Sequence, residues 1–316
     1  MRISYHSPTA CVKSEDNYKY HKLSHFNIDH FTVNNFYQSS LKMNCASPKP
    51  LPFSHAYKPI RQLGEGGYGS VWLVQRISDD SLYAAKIIPD SKCTRKTWCE
   101  DRSAMIPDEV QLTEALDHPN LINLHELYFE QESWVIVMEY LPGFVDLFEH
   151  ISQNGPLSVE DARNVLTQLL DTCSYLISFD IDHRDIKDEN ILYNPTSRRI
   201  KLIDFGSAST IPDTPYTRFQ GTEVYLPPEY FNYGAYSALP AMTWSIGCLA
   251  YVLLNGDCPF STKQEVAEHT CLEFINTRLD EESKEFLREV LTIDEDERVT
   301  PGELIFHPWM DWISKE

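Results

Sequence analysis

The chain has 316 residues, 42% of them hydrophobic and 12% aromatic, which is enough apolar material for one large domain or two lobes with substantial cores. Its eight cysteines form no Cys-x-x-Cys pair and no cluster with zinc-finger spacing, so composition excludes a disulfide scaffold and a structural metal site. The net charge is −20, with six Lys/Arg and three Asp/Glu in residues 1–55 against 21 and 44 in the remainder. This acidity excludes nucleic acid as the main partner and suits either a basic peptide or simply a solvated surface.

Membrane and export signals are weak in this sequence. The longest apolar stretch, residues 244–254, is shorter than the roughly 20 residues that a membrane-spanning helix needs. The first six residues lack the apolar run of a secretory signal. We therefore expect a soluble protein of the cytoplasm or nucleus with no membrane partner, and nothing in the sequence demands more than a monomer.

Residues 1–55 differ in composition from the rest of the chain. They are rich in Asn, Ser, His, Tyr and Lys, show no sustained period and end in a proline-rich run, which predicts a mostly disordered extension. From Tyr57 to about Val137, short apolar runs such as residues 71–74 and 82–88 alternate with turn residues. This pattern predicts strands of a small antiparallel sheet.

Helical patterns dominate later in the chain. One short helix is predicted within the sheet region at residues 107–116, with Pro107 in its first turn. Longer amphipathic helices are predicted at residues 158–179, 242–254 and 281–291. We therefore predict an α+β, bilobal domain over residues 56–313: a β-rich lobe to about residue 138, a connection at 139–145 and an α-rich lobe from 146.

A glycine-rich segment between two predicted strands follows the pattern Gly-x-Gly-x-x-Gly-x-Val. The residues expected to enclose a nucleotide there are Leu63, Gly64, Glu65, Gly66, Gly67, Tyr68, Gly69 and Val71. Glycines let backbone amides approach phosphates without an intervening side chain, but the pattern also occurs in dinucleotide folds, and a tight hairpin needs no ligand. Here a strand rather than a helix follows the segment, which argues against a dinucleotide fold.

Two charged residues farther along fit the same nucleotide. Lys86 ends a predicted strand and lies 22 residues after Gly64. A lysine that points inward from this strand needs an anion, and Glu109 in the predicted short helix can hold its ammonium group against the ATP phosphates. Taken alone, each is more simply explained as a surface charge.

The strongest motif is His-Arg-Asp-Ile-Lys-Asp-Glu-Asn at residues 183–190. Asp185 can accept the proton of an attacking hydroxyl group, and Lys187 can neutralise the moving phosphoryl group. Asn190 can bind magnesium, as can Asp204, which opens an Asp-Phe-Gly segment 19 residues after Asp185. These spacings predict phosphoryl transfer from ATP.

With these motifs in this order, the sequence resembles the eukaryotic protein kinases over roughly residues 57–312. The resemblance implies a bilobal kinase fold, ATP and Mg²⁺ as cofactors, and in-line transfer of the γ-phosphoryl group. Pro227-Pro228-Glu229 is similar to the family's Ala-Pro-Glu and Arg298 to its late arginine, which implies a buried Glu229–Arg298 ion pair. The ending at residues 307–310 is similar to that of calcium/calmodulin-kinase-like relatives.

The catalytic loop is similar to that of the serine/threonine kinases because it carries Lys187 where tyrosine kinases usually have Ala-Ala-Arg or Arg-Ala-Ala. The Gly221-Thr222 pair agrees, and the resemblance implies that Thr222 reaches Asp185 and Lys187 and shapes the substrate site. Within the group, the chain looks most like the Pim kinases. The segments that carry this likeness are residues 146–148, 185–192, 202–207, 221–229, a connection at 138–146 that is one residue longer than usual, and Met242-Thr243-Trp244, which lacks the Asp that most kinases place two residues before this Trp.

The nucleotide contacts are expected to differ from those of Pim kinases, which have a proline three residues past the gatekeeper. If Met138 is the gatekeeper, that position is Leu141, whose backbone N–H is available. We predict two adenine contacts, from the Glu139 carbonyl and the Leu141 amide. Ala84 and Leu192 are further nucleotide-binding candidates.

The activation segment is a second departure. Pim relatives carry acidic residues just before the Gly-Thr pair, where this chain has Arg218 and Gln220. Arg184 of the catalytic loop would then lack an acidic partner, and phosphorylation of Thr214 or Thr217 is one way to supply it.

Charge also predicts the substrate class. Asp146, Glu149 and Glu189 match positions where basophilic kinases carry acids that pair with arginines upstream of the phosphoacceptor. We therefore expect basic protein substrates of the Arg-x-x-Ser/Thr type, unless these are ordinary exposed acids.

Two other classes fit parts of the pattern. A pseudokinase would use the fold for binding alone, but such proteins commonly lose one or more of the catalytic residues that are present here. A small-molecule phosphotransferase with a kinase-like fold usually lacks both the Pro-Pro-Glu segment and the Gly-Thr pair.

Overall fold

The computed structural model describes residues 51–311, except residues 68, 94, 261 and 268–271. Residues 1–50 of the predicted extension therefore lie outside the described part. The last residues of the predicted extension belong to the fold. Phe53–Ala56 form a helical turn (α1), and the Phe53 ring stacks on Tyr57 with ring centroids 5.4 Å apart. The ordered structure thus begins before residue 56, the boundary that composition predicts.

The first lobe is built on a five-stranded antiparallel sheet of order β1-β2-β3-β7-β6. The strands and helices of this lobe are β1 (Tyr57–Gly66), β2 (Gly69–Arg76), β3 (Leu82–Pro89), β4 (Lys96–Cys99), β5 (Ala104–Pro107), α2 (Asp108–Ala115), β6 (Leu124–Glu130) and β7 (Ser133–Glu139). Side chains alternate between the two faces of a strand, so Ala85 packs with Val74 and Val137 while Ile88 packs with Val110 of α2.

The hairpin formed by β4 and β5 was not predicted from the sequence. Its strands are only four residues long and pair from Lys96 with Pro107 to Cys99 with Ala104. Trp98 and Met105 lie opposite each other and are about half exposed, so the hairpin lacks the buried alternation that identifies a strand in a sequence. It delivers the chain directly to the first residue of α2.

The second lobe is mainly helical. Its elements are β8 (Val145–Asp146), α3 (Leu147–Asn154), α4 (Val159–Ser178), β9 (Ile181–Asp182), β10 (Ile191–Asn194), β11 (Arg199–Leu202), β12 (Ser209–Thr210), α5 (Pro228–Tyr233), α6 (Ala238–Asn255), α7 (Lys263–Ala267), α8 (Glu281–Val290) and α9 (Pro301–Leu304). This lobe also contains two small antiparallel ladders, of order β11-β10-β8 and β12-β9. They carry the loops in which the catalytic motifs occur.

The long helices start and stop close to the predicted positions. Ser158 caps α4 by accepting the Asp161 N–H at 3.1 Å, as a helix N-terminus favours. Helix α6 starts four residues earlier than predicted, because Pro240 lies in its first turn, where the missing N–H costs nothing.

Helix α6 forms the centre of the second lobe. By length and composition it is the one helix among the described residues that could cross a membrane, but 78% of it is buried inside the protein. Trp244 is fully buried and stacks on Phe260 with ring centroids 5.7 Å apart. Burial of this kind is that of a core helix.

Candidate active site

The glycine-rich segment is the turn that joins β1 to β2. A side-chain carbon at Gly64, Gly66 or Gly67 would meet no described residue within 4 Å, so there is open space beside these three glycines. A carbon at Gly69 would lie 2.0 Å from the Ile87 carbonyl oxygen, so this glycine is required for strand packing. The first three glycines thus have no packing role, which fits a phosphate cradle; Tyr68 lies outside the described residues.

Strand geometry brings Lys86 to the centre of the site. It pairs with Val71 and Ile136 in the sheet and points to the same side as Ile88, toward α2. Its Nζ lies 2.5 Å from Glu109 Oε1 and 2.9 Å from Asp204 Oδ1. Burial acts to lower the pKa of Lys86, but the two carboxylates outweigh it and raise the pKa, so the ammonium group stays charged.

Asp204 adopts a backbone conformation that non-glycine residues rarely use, with φ of 65°. Its carboxylate accepts the Gly206 N–H at 3.0 Å, and Lys86 fixes the same oxygen. Phe205 is buried, with its ring centroid 5.1 Å from that of His183. These contacts offset a strain of about 1–3 kcal/mol and keep the carboxylate directed toward Lys86.

The catalytic loop forms a closed set of hydrogen bonds around Asp185. Lys187 Nζ donates to the Thr222 hydroxyl at 2.7 Å, and that hydroxyl donates to Asp185 Oδ1 at 2.9 Å. The Asn190 amide nitrogen donates to Asp185 Oδ2 and to the Asp185 carbonyl, both at 2.8 Å. The side-chain oxygen of Asn190 therefore remains to hold a cation, and the Ile203 N–H joins the Asn190 carbonyl at 2.9 Å, next to Asp204.

The connection between the lobes is a tight turn. The Leu141 carbonyl accepts the Phe144 N–H at 3.2 Å, and Gly143 has φ of 79°, as a turn with Pro142 in its second position requires. Within the described residues the Leu141 N–H donates to no backbone acceptor. The Leu141 amide is thus available as a donor, and its contact with adenine stays a prediction.

Further interactions fix the side chain of Glu139, two residues before Leu141. Its Oε1 lies 2.7 Å from Lys201 Nζ and accepts the Asn123 N–H at 2.9 Å. Of the remaining nucleotide candidates, Ala84 pairs with Met138 across β3 and β7. Leu192 lies in β10, where it pairs with Asp146 of β8.

The three predicted substrate-binding acids differ in the partners that their side chains have inside the protein. Asp146 caps α3 by accepting the Glu149 N–H at 2.7 Å. Glu189 lies 2.7 Å from Lys187 Nζ. The Glu149 side chain is exposed and accepts a hydrogen bond from Gln153 at 2.9 Å. All three acids therefore have a partner inside the protein, and the side-chain partner of Glu149 is the uncharged Gln153.

The ion pair implied between Glu229 and Arg298 is confirmed. The two guanidinium nitrogens lie 3.0 and 2.9 Å from the two carboxylate oxygens, and both side chains are buried. This bidentate pair anchors the start of α5 to the segment before α9.

Arg184 has partners that sequence reasoning missed. Its Nη2 donates to the Arg218 carbonyl and the Tyr236 hydroxyl, both at 2.9 Å, and its guanidinium lies 4.0 Å from the Tyr216 ring centroid. Arg218 thus supplies a main-chain acceptor to Arg184, which was expected to lack an acidic partner. The phosphorylation of Thr214 or Thr217 stays a prediction, but Arg184 is held without it.

Arg95 is another functional candidate that the motifs did not reveal. Its Nη2 donates to the carbonyls of Gly206 and Ala208, both at 2.8 Å. The residue lies just before β4, more than 100 positions from its partners. Nothing local in the sequence could have predicted this contact.

Fold and site together define a protein kinase, and comparison with known proteins agrees. The sequence profile of the protein kinase domain matches residues 57–310, so the chain belongs to that family. It is 34% identical over 268 residues to the serine/threonine-protein kinase pim-2 of Danio rerio, covering 82% of this chain and 86% of that protein.

Other relatives are also serine/threonine kinases or are named as death-associated protein kinases. Identity to the serine/threonine-protein kinase prk-2 of Caenorhabditis elegans is 32%, over 87% of this chain and 63% of that longer protein. Identity to death-associated protein kinase 2 of Mus musculus is 35%, over 79% of this chain and 70% of that protein. The chain is therefore a serine/threonine protein kinase similar to the Pim kinases.

Proposed function

We propose that the chain is catalytically active and transfers the γ-phosphoryl group of ATP to Ser or Thr in basic protein segments. The observation that carries this proposal is the hydroxyl of Thr222, which bridges Lys187 and Asp185 at 2.7 and 2.9 Å. A hydroxyl at this place, held between a base and a cation, supports an assembled site for transfer to an alcohol.

The phosphate groups have a site of matching charge and shape. The open side of the glycine turn offers backbone amides, and Lys86 supplies a buried positive charge. Mg²⁺ would be held by the free oxygens of Asn190 and Asp204 and would supply charge neutralisation between the phosphates. Carbonyl and carboxylate oxygens are the ligands that this ion prefers.

Asp185 is the candidate base. Its Oδ2 is fixed by the Asn190 amide, and its side chain is only 17% exposed, so it has one orientation. In the proposed reaction Asp185 accepts the proton of the substrate hydroxyl, while Lys187 lies near the transferred group. Catalysis then arises mainly from positioning and charge.

A direct test compares the purified chain with its Asp185→Asn and Lys86→Met variants, using Mg²⁺, ATP and a serine peptide that carries arginines. We expect both variants to lose at least about a hundredfold in kcat, because each removes a group that acts on the transferred phosphoryl group. Asp180→Asn, an exposed aspartate two residues before β9's end, is the matched control. Binding of an ATP analogue with no transfer by the parent chain would favour the pseudokinase alternative.

The preference for basic substrates has a separate test. We propose that Glu149, an exposed acid whose side chain bonds to the uncharged Gln153, pairs with an arginine three residues before the acceptor. Glu149→Gln is then expected to raise KM for an Arg-x-x-Ser peptide about tenfold and to leave KM for the Ala-x-x-Ser peptide unchanged. Glu132→Gln, an exposed acid in the β6–β7 turn, is the control. Equal effects on both peptides would contradict the pairing.

A further inference from the structure

The backbone just before the candidate base is strained. Arg184 has φ of 63°, a left-handed conformation that costs a non-glycine residue free energy. A side-chain carbon at Gly221 would lie 2.4 Å from the Arg184 carbonyl oxygen, so the chain on this side is packed without spare room. Because Asp185 follows directly, any relaxation of Arg184 rotates the base. Something must therefore hold the Arg184 peptide in place.

The group that holds it is the carboxylate of Asp182. Its Oδ1 accepts the Arg184 backbone N–H at 3.1 Å. Asp182 is 3% exposed and lies in β9, where it pairs with Ser209 of the activation segment. A two-residue hydrogen bond of this kind closes a short ring and favours the left-handed residue that follows it.

Helix α6 contains no Asp or Glu, and the polar side chain that it places on this cavity is that of Ser245. Met242 lines the same cavity as Asp182, Arg184 and Tyr236, and it occupies the position where most kinases carry an aspartate. The thioether side chain cannot fix the N–H of the catalytic loop as a carboxylate can. The carboxylate in this cavity therefore comes from the catalytic loop's own strand.

Keeping a carboxylate in this position is costly for the fold. Burial raises the pKa of Asp182 to about 6, although the Arg184 N–H and guanidinium and the Tyr216 hydroxyl act to lower it. The other titratable groups facing it are Cys173 and Tyr236. The chain therefore keeps, at a position where burial disfavours the charged form, a carboxyl group whose backbone partner is the Arg184 N–H.

We propose that Asp182 is a positioning residue that fixes the Arg184 peptide, and through it Asp185, in place of the aspartate missing at position 242. The inference rests on the phosphoryl transfer proposed above. It assigns to β9 a role that α6, which has no Asp or Glu, cannot perform with a carboxylate.

The test uses the full chain with three changes: Asp182→Ala, Asp182→Asn, and Asp182→Ala combined with Met242→Asp. The alanine variant is expected to lose about tenfold in kcat, the value of one buried hydrogen bond, with KM for ATP within about twofold of the parent. The asparagine variant keeps an oxygen acceptor and is expected to stay within about threefold of the parent. The double variant is expected to regain part of the loss, because a carboxylate re-enters the cavity from α6.

These outcomes separate positioning from a general structural effect. An alanine variant within twofold of the parent in kcat, or an asparagine variant as weak as alanine, overturns the inference. So does a loss of kcat that is matched by an equal rise in KM for ATP and is not recovered by Met242→Asp. Asp180→Asn is the control for charge alone. A parent chain that transfers no phosphoryl group overturns the proposed function, and this inference with it, whereas an active parent with unaffected variants overturns this inference only.

Discussion

Replacing Arg298 by methionine tests how the segment before α9 is joined to the start of α5. The guanidinium makes two bonds to Glu229 and also donates to the carbonyls of Thr292, Ile293 and Pro240 at 2.7, 3.1 and 2.9 Å. Methionine has similar length but no donors. It leaves the Glu229 carboxylate, which is 2% exposed, without its cation.

The expected cost follows from this burial. Removing one partner of a buried pair costs about 3–5 kcal/mol, because the remaining charge is neither solvated nor paired. In a domain of this size the melting temperature should fall by about 10 °C, since each kcal/mol lowers it by about 2–4 °C. Differential scanning calorimetry or fluorimetry of the full chain measures this directly.

A matched control is available on α8. Arg288 lies 3.0 Å from Glu281, but the two side chains are 50% and 63% exposed. Arg288→Met is expected to change the free energy of unfolding by less than about 1 kcal/mol, because solvent screens an exposed pair. The double change Glu229→Leu with Arg298→Met should recover part of the loss, since no charge is then left buried. If Arg298→Met destabilises no more than Arg288→Met, the reasoning from burial is wrong.

Three further predictions follow from other parts of the structure. The Thr214→Ala, Thr217→Ala double variant should keep most of its kcat, because the catalytic-loop arginine is already held by a carbonyl, a hydroxyl and a ring; a tenfold loss would show that phosphate is needed. Asp182→Asn should gain stability relative to the parent as pH rises from 4 to 6 and keep that gain at pH 8: the folded-state pKa of about 6 exceeds the ordinary 3.8, so the contribution of the carboxyl group is fully present below pH 3.8, is lost as pH rises from 3.8 to 6 and is absent above that, a change of about 3 kcal/mol in all. A melting-temperature difference that does not change with pH would contradict this. Gly69→Ala should destabilise the first lobe, since its side chain meets a carbonyl, whereas Gly67→Ala should leave the melting temperature unchanged; equal melting temperatures for the two would refute the packing argument.

The motifs predicted the site well where the chemistry is local. Asp185, Lys187 and Asn190 lie within six consecutive residues, so their spacing alone fixes their mutual approach. Lys86 and Glu109 are 23 residues apart, but strand alternation and one helix suffice to bring them to 2.5 Å. The sheet and the long helices were predicted because each carries its own periodic pattern, and the connection was predicted as the segment between them.

Contacts between a side chain and the main chain of a distant segment could not be predicted from the sequence. The acceptor for Arg184 is a main-chain carbonyl of Arg218, and a carbonyl is present at every position of a sequence. Arg95 and Lys201 find carbonyl partners in the same way, at Gly206 and Leu121. Such bonds depend on how loops pack, and the type of residue at the acceptor position does not predict them.

The place of Arg95 in the chain gives the site a cooperative character. Its carbonyl accepts the Asp108 N–H at the start of α2, at 3.2 Å, while its guanidinium holds Gly206 and Ala208. Helix α2 therefore cannot swing away from Lys86 without also withdrawing two hydrogen bonds from the segment that carries Asp204. Movement of the helix away from Lys86 is therefore expected to loosen the segment that carries Asp204 at the same time, so that the two movements are coupled.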